Sequence, residues 1–155
     1  MQLSWTALKI SIAGARLSHL VQKDGIWDHG SMIEQVKIVF YQLNKAMRQG
    51  NAELLRKYMT MSGFDKARLQ IANGQNETRV DQIMYELQEV DIIKIAIGKN
   101  SPDCFKALVK VKEKTDTQDK LQSVNKLNNF QEEWLFIRQG NWWMLDKIKG
   151  SKFFS

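Results

Sequence analysis

One cysteine, one proline and two histidines in 155 residues leave little material for disulfide, metal or imidazole chemistry. Cys104 has no second thiol to pair with, and neither a Cys-x-x-Cys pair nor a Cys/His cluster exists to hold zinc. Packing alone must therefore hold the fold. Long apolar runs are missing as well. In the N-terminal segment the longest uncharged stretches are the eight residues before Lys9 and the six between Lys9 and Arg16. A membrane-spanning helix needs roughly 20 apolar residues, so none is expected. A secretory leader is not expected either, because the charges fall inside the apolar run instead of before it. Gly-rich phosphate loops, nucleophile elbows and metal-ligand spacings do not occur, and no cofactor is implied. The two histidines, His19 and His29, sit in the N-terminal segment and the loop after it, away from the candidate cavity residues. Proton-transfer catalysis needs a tuned acid or base held in a cavity, and no such group stands out. The expectation is a protein that is not an enzyme.

Acidic residues are absent from the first 23 positions, which hold Lys9, Arg16 and Lys23, so half of the net charge of +6 lies there. A basic balance favours acidic partners such as anionic lipid headgroups or nucleic acid. In this segment Leu3, Ala7, Ile10, Ala13, Leu17 and Val21 recur at helical spacing, and Trp5, Leu8 and Ile12 widen the stripe. An acid-free helix carrying Trp5, Lys9, Arg16 and Lys23 suits a place in a headgroup layer. The plainer alternatives are packing on the rest of the domain or on a second copy of it, with the basic side chains snorkelling outward. The scarcity of acids, with Ser4, Ser11 and Ser18, also loosely fits an organellar presequence.

Ser31 with Glu34 three positions on predicts a capping box opening a helix whose stripe is Met32, Val36, Val39, Phe40, Leu43 and Met47 and which stops at Gly50. Asn51 predicts a cap for a short helix through Tyr58, and Ser62 with Asp65 a cap for a third that ends at Gly74. From Val80 to Ile97 β-branched residues crowd together, enough for one bulged strand or two. Phe105, Ala107, Val109 and Val111 then alternate with Lys106, Leu108, Lys110 and Lys112. The polar run Lys114 to Asn129 reads as a strand end and loop. Phe130 to Arg138 alternates again, and Gly140-Asn141 turns into Trp142 to Ile148. Helices followed by antiparallel strands make an α+β domain, with residues 1–24 a basic helical arm, 25–150 the domain and 151–155 a tail.

The strand Glu132-x-Trp134-x-Phe136-x-Arg138 followed by Trp143-x-Leu145 and Ile148 resembles the closing hairpin of the mitochondrial import translocase subunit 44-like family, bacterial members above all. Trp27-Asp28, Val39-Phe40-Tyr41 with Ala46, and Leu55-Arg56-Lys57-Tyr58-Met59-Thr60 are similar to the family's entry loop, first helix and end of the second. The resemblance spans residues 27 to 149. The start departs from common bacterial members, with no membrane span and no zinc-ribbon cysteines. The resemblance implies a nuclear transport factor 2-like cone, three helices on a curved antiparallel sheet. It also implies membrane association or scaffolding without catalysis, because the eukaryotic relative tethers an import motor to a membrane and another relative belongs to a mitochondrial ribosomal subunit.

Two surfaces compete for function. Lys106, Lys110, Lys112 and Lys114 share a strand face able to meet lipid phosphates or an RNA backbone. Leu108 is the only other residue on that face from Lys106 to Lys114, so aromatics for base stacking are missing and lipid is favoured over nucleic acid. The plainer reading is a solvated face or a lysine-guarded edge. Phe130, Trp134 and Phe136, with Tyr85 from the preceding strand, could line a ligand cavity, against the plainer reading of core aromatics. The expected role is a membrane-peripheral adaptor on the cytoplasmic face, binding a protein partner or anionic lipid. The alternatives are a small-molecule-binding or enzymatic cone with an aromatic cavity, and a ribosome-associated module; the alternative location is the soluble cytoplasm.

Overall fold

The computed structural model describes residues 4–74, 83–115 and 129–150. Helix α1 (Trp5–Lys23) starts at Ser4, whose hydroxyl accepts the Ala7 N–H at 3.0 Å. A 3₁₀ turn, Gly25–Trp27, leads into α2 (His29–Gln49). The cap of α2 is Asp28, three residues ahead of the expected Ser31. Its carboxylate accepts both the Ser31 N–H at 2.9 Å and the Ser31 hydroxyl at 2.7 Å. Ser31 therefore lies inside the first turn as a donor, and a carboxylate at the positive helix end also gains from the helix dipole. Gly50, left-handed at φ 62°, ends α2 as the sequence predicts. Asn51 caps the next 3₁₀ turn, Ala52–Leu55, shorter than the expected helix. Helix α3 (Met61–Gly74) is capped by Thr60 instead of Ser62. The Thr60 hydroxyl accepts the Gly63 N–H at 3.1 Å while its carbonyl accepts that of Phe64.

Four antiparallel strands follow in the order β1-β2-β3-β4: β1 (Ile83–Ala96), β2 (Cys104–Thr115), β3 (Asn129–Gln139) and β4 (Trp142–Lys149). The run expected as one bulged strand or two is a single strand. Its pairing with β2 slips between Leu87 and Glu89 and again between Ile92 and Lys94, so two extra residues are absorbed as bulges that bend and twist it. Residues 80–82 and 116–128 lie outside the described residues. Gly140, at φ 64°, opens the β3–β4 turn. Positive φ at the first central residue alone is the pattern of the hairpin turn that glycine favours there.

The period-two reading of β2 and β3 holds except at Leu108, which is buried on the outer face. Phe105, Ala107, Val109 and Val111 are buried together with Glu132, Trp134 and Phe136, all facing the helices. Against them α2 lays Val36, Val39, Phe40 and Leu43. Ring contacts knit the layers. Phe105 stacks on Phe136 at 4.9 Å, Phe40 tilts against Trp134 at 6.1 Å, and Trp143 meets Phe105 edge-on at 4.8 Å and Trp27 at 5.1 Å. Three helical segments on one face of a bulged four-stranded antiparallel sheet, preceded by a basic helix, form the α+β architecture that the cone resemblance implies.

The segment Tyr58-Met59-Thr60 stitches the helical layer to the last strand. Met59 pairs with Leu145 in a parallel bridge; Leu145 N–H donates to Tyr58 O at 2.9 Å and Thr60 N–H to Leu145 O at 3.0 Å. The Thr60 hydroxyl reaches the Asp146 carboxylate at 2.6 Å. Asp146 is the residue that β4 bulges out between Leu145, opposite Phe136, and Lys147, opposite Leu135.

Helix α1 packs mainly on β1, an edge strand of the sheet. Ala13 and Leu17 are buried, Leu20 and Val21 half-buried behind them, and Arg16 donates from Nη1 to the Ile95 carbonyl at 2.8 Å. A helix laid along an edge strand hinders pairing with a foreign strand. No helix among the described residues is long and apolar enough to cross a membrane.

Candidate functional site

The packed face of α1 is narrower than its apolar content. Trp5, Leu8 and Ile12 follow one another at steps of three and four and so share a stripe. That stripe is not covered: Trp5 is 71%, Leu8 41% and Ile12 53% exposed. Lys9, Arg16 and Lys23 lie at steps of seven on the same side of the helix and are exposed, and the helix has no acid to offset them. Of the sequence-predicted surface residues, the structure thus brings Trp5, Lys9 and Lys23 together on one free face, while the Arg16 guanidinium turns to the Ile95 carbonyl of β1.

The lysine row on β2 is differently placed. Lys112 lies opposite Glu86, and Lys110 lies opposite Glu89 and pairs with it at 3.1 Å. Leu108 stands between Asp91 on β1 and Glu133 on β3. Acids on the neighbouring strands therefore interleave with Lys110 and Lys112, and an exposed pair of this kind contributes little to stability while lowering the local positive field. Lys106 differs, with Lys94 opposite it on β1 and Leu135 on β3. The Lys114 side chain lies outside the described residues.

Of the four candidate cavity residues, Trp134 and Phe136 are fully buried and touch Phe40 and Phe105, so at this level the interior is filled by rings. Tyr85 and Phe130 sit at the margin of the core and meet edge-on at 6.0 Å. Near them Glu132 is 1% exposed on the inward face of β3. Burial raises the Tyr85 phenol above its ordinary value, and the Glu113 and Glu132 carboxylates raise it further. Among the described residues no three His, Cys, Asp or Glu side chains are grouped to hold a metal ion.

Arg138 organises a polar corner that sequence reasoning left at the sheet margin. Its Nη1 donates to Asp24 at 2.8 Å and to Asp103 at 3.3 Å, and its Nε to the Gly140 carbonyl at 2.8 Å. Asp103 also accepts the Gly98 N–H at 3.0 Å. The hydrogen bond from Arg138 holds the Asp24 carboxyl below its ordinary range, and Asp24 in turn raises the guanidinium. Beside this corner a cleft of about 430 Å³ opens between the start of α2 and the β3–β4 hairpin, walled by Asp24, Ile26, Gln35, Asn141, Trp142 and Trp143 among others. Gln35 donates from Nε2 to the Trp143 carbonyl at 3.2 Å, and the Trp143 indole N–H to the Ile26 carbonyl at 3.1 Å. The only hint in the sequence was the pairing of the Trp27-Asp28 loop with the Trp143 hairpin in one motif set.

No family model and no curated protein matches the chain. Among solved structures it is similar to the intermembrane-space region of the chloroplast protein ARC6, at 8% identity and TM-score 0.47 over 79% of this chain and 97% of that one. A nuclear transport factor 2-like designed protein is similar at 14% identity and TM-score 0.46, over 79% of this chain and 98% of its own. A de novo β-sheet design solved by NMR is similar at 17% identity and TM-score 0.43, over 79% and 93%.

Proposed function

We propose that this protein is a non-catalytic, membrane-peripheral adaptor that lies on an anionic lipid surface through α1 while its cone domain engages a protein partner. The observation that carries the reading is the uncovered Trp5, Leu8 and Ile12 stripe on an acid-free helix with Lys9, Arg16 and Lys23 beside it. Each basic residue near an anionic surface contributes about 1 kcal/mol, so Lys9 and Lys23 together contribute about thirtyfold in partitioning, with Arg16 tied to the Ile95 carbonyl. Apolar side chains entering the headgroup boundary add to this at roughly 25 cal/mol per Å². The ring-filled interior around Trp134 and Phe136 supports a structural role for those aromatics over a substrate cavity. The resemblance of the closing hairpin to the translocase subunit 44-like family points the same way, and the surface we propose is the cytoplasmic face of a membrane.

The test is cosedimentation of the full chain with phosphatidylcholine vesicles containing graded phosphatidylserine, at low and physiological salt. Point variants on the free stripe serve better than deletion of the arm, because deletion removes buried Ala13 and Leu17 as well. Binding is expected to rise with phosphatidylserine, fall with salt, and drop steeply in a Trp5→Ser, Leu8→Ser, Ile12→Ser triple variant. Binding that is absent at every composition, or equal in the triple variant, overturns the proposal.

A further inference from the structure

The cleft between the start of α2 and the hairpin has a lopsided chemistry. The protein has 23 Lys and Arg residues, yet among the described residues none lines it. Its one charged lining group is Asp24, with a side chain 42% exposed. Behind that group two carboxylates, Asp24 and Asp103, face one guanidinium, Arg138, so the corner keeps one negative charge in a chain that is positive overall.

Part of the hydrogen-bonding capacity of the walls is already used. One N–H of the Gln35 amide donates to the Trp143 carbonyl, and the indole N–H of Trp143 to the Ile26 carbonyl. The N–H and hydroxyl of Ser31, also in the wall, are both turned to Asp28. Besides the donors of Asn141 and Trp142 and the second Gln35 N–H, the walls hold acceptors: the Gln35 Oε1, the Asn141 Oδ1 and the remaining lone pairs of the Asp24 carboxylate, which alone carries charge among them. Trp142, 48% exposed, and Trp143 contribute aromatic surface to the same walls. Acceptors, a net negative charge and indoles together select a donor-rich, weakly hydrated, planar cation, and anions are disfavoured. About 430 Å³ lies at the small end of ligand sites, ample for one long side chain with its flanking backbone.

We infer that this cleft is a docking site for an arginine side chain presented by a partner polypeptide. The site is separate from the membrane-facing stripe of α1, and its success or failure is independent of vesicle binding. The probe is N-acetyl-arginine amide, titrated into the ¹⁵N-labelled full chain while the Trp142 indole and the Gln35 side-chain amide are followed by NMR. N-acetyl-citrulline amide, the neutral isostere, and free arginine are the comparisons. The expected result is saturable shifts with the arginine amide, affinity for citrulline amide roughly tenfold lower, and a similar loss in Trp142→Ala, with Trp5→Ser unaffected. The fold of Trp142→Ala is checked from the remaining amide spectrum. Gln35→Met, which removes the acceptor and keeps the bulk, is expected to weaken binding as well and supplies the same test if Trp142→Ala misfolds. No saturable response, or equal responses to arginine and citrulline amides, overturns the inference. Tighter binding of free arginine than of the blocked amide overturns the polypeptide assignment, because only a small-molecule site gains from the extra termini.

Discussion

Replacing Gly63 by alanine is expected to destabilise the protein although alanine is the better helix former. A Cβ at position 63 would sit 2.8 Å from the Asp146 carbonyl oxygen, 3.0 Å from that of Leu145 and 3.2 Å from the Thr60 hydroxyl. The two carbonyls belong to the backbone of β4, which the Met59–Leu145 bridge and the 3.0 Å Thr60 N–H bond to Leu145 hold against the start of α3. Relief therefore requires moving α3 off β4. Overpacking of this kind costs about 1–3 kcal/mol, and each stitching hydrogen bond that lengthens adds about 1 kcal/mol. Alanine's helix propensity returns roughly 0.8–1.0 kcal/mol. The net expectation is a loss of about 1–3 kcal/mol, read as a lower urea midpoint with an unchanged slope. Gly14→Ala is the control. Gly14 lies inside α1 with nothing within 4 Å of its would-be Cβ, so there propensity should act alone and stabilise by about 0.5–1 kcal/mol. A Gly63→Ala protein as stable as the parent would refute the close approach of α3 to β4.

Thr60→Val removes both the cap on Gly63 and the 2.6 Å bond to Asp146, and is expected to cost about 0.5–2 kcal/mol by thermal melt. Leu17→Ala should cost about 2–5 kcal/mol because Leu17 is buried in the core, whereas Ile12→Ala on the same helix should stay within about 0.5 kcal/mol; similar losses at both sites would mean that α1 packs on a different face. Asp24 has a folded pKa lowered chiefly by Arg138, so its stabilisation is present above the unfolded value of about 3.9 and fades as pH falls through the folded one. Acid titration of Arg138→Met should lack that contribution; an unchanged acid limb would show that the 2.8 Å pair does not form in solution.

The strand half of the fold was legible because burial on a sheet face has the simplest period. Phe105, Ala107, Val109 and Val111 alternate and the structure buries each of them, with Leu108 on the other face buried as well. Helix starts were legible only to within a few residues. Ser31 and Asp28 are both good caps, and the choice falls to Asp28 because its carboxylate takes two donors from Ser31. At α3, Thr60 takes the cap because its hydroxyl also reaches Asp146, a partner 86 positions away that no local pattern reveals. The free face of α1 was half legible. Its composition was plain, but which of its apolar residues would pack depended on where β1 offered the Ile95 carbonyl to Arg16. The lysine row was legible as a row and misleading as a field, since Glu89 reaches Lys110 only through the register of a bulged β1. The cleft was not legible, because Asp24, Gln35 and Trp142 are brought together by the docking of the hairpin on the loop before α2.

The stitch between Thr60 and Asp146, 86 positions apart in sequence, sets an order of assembly. As the chain leaves the ribosome, α2 can form and cap from neighbours alone, whereas the start of α3 lacks its backbone and side-chain partners on β4 until β4 has emerged. Contacts of such high sequence separation are slow to close, and domains tend to fold from the N-terminus during synthesis. Until then the inner face of α2, with Val36, Val39 and Phe40, waits uncovered for the strands. The last-made strand is thus the one that locks the first-made layer, and a nascent chain stalled short of Asp146 would present an open, sticky helical half to the cell's chaperones and proteases.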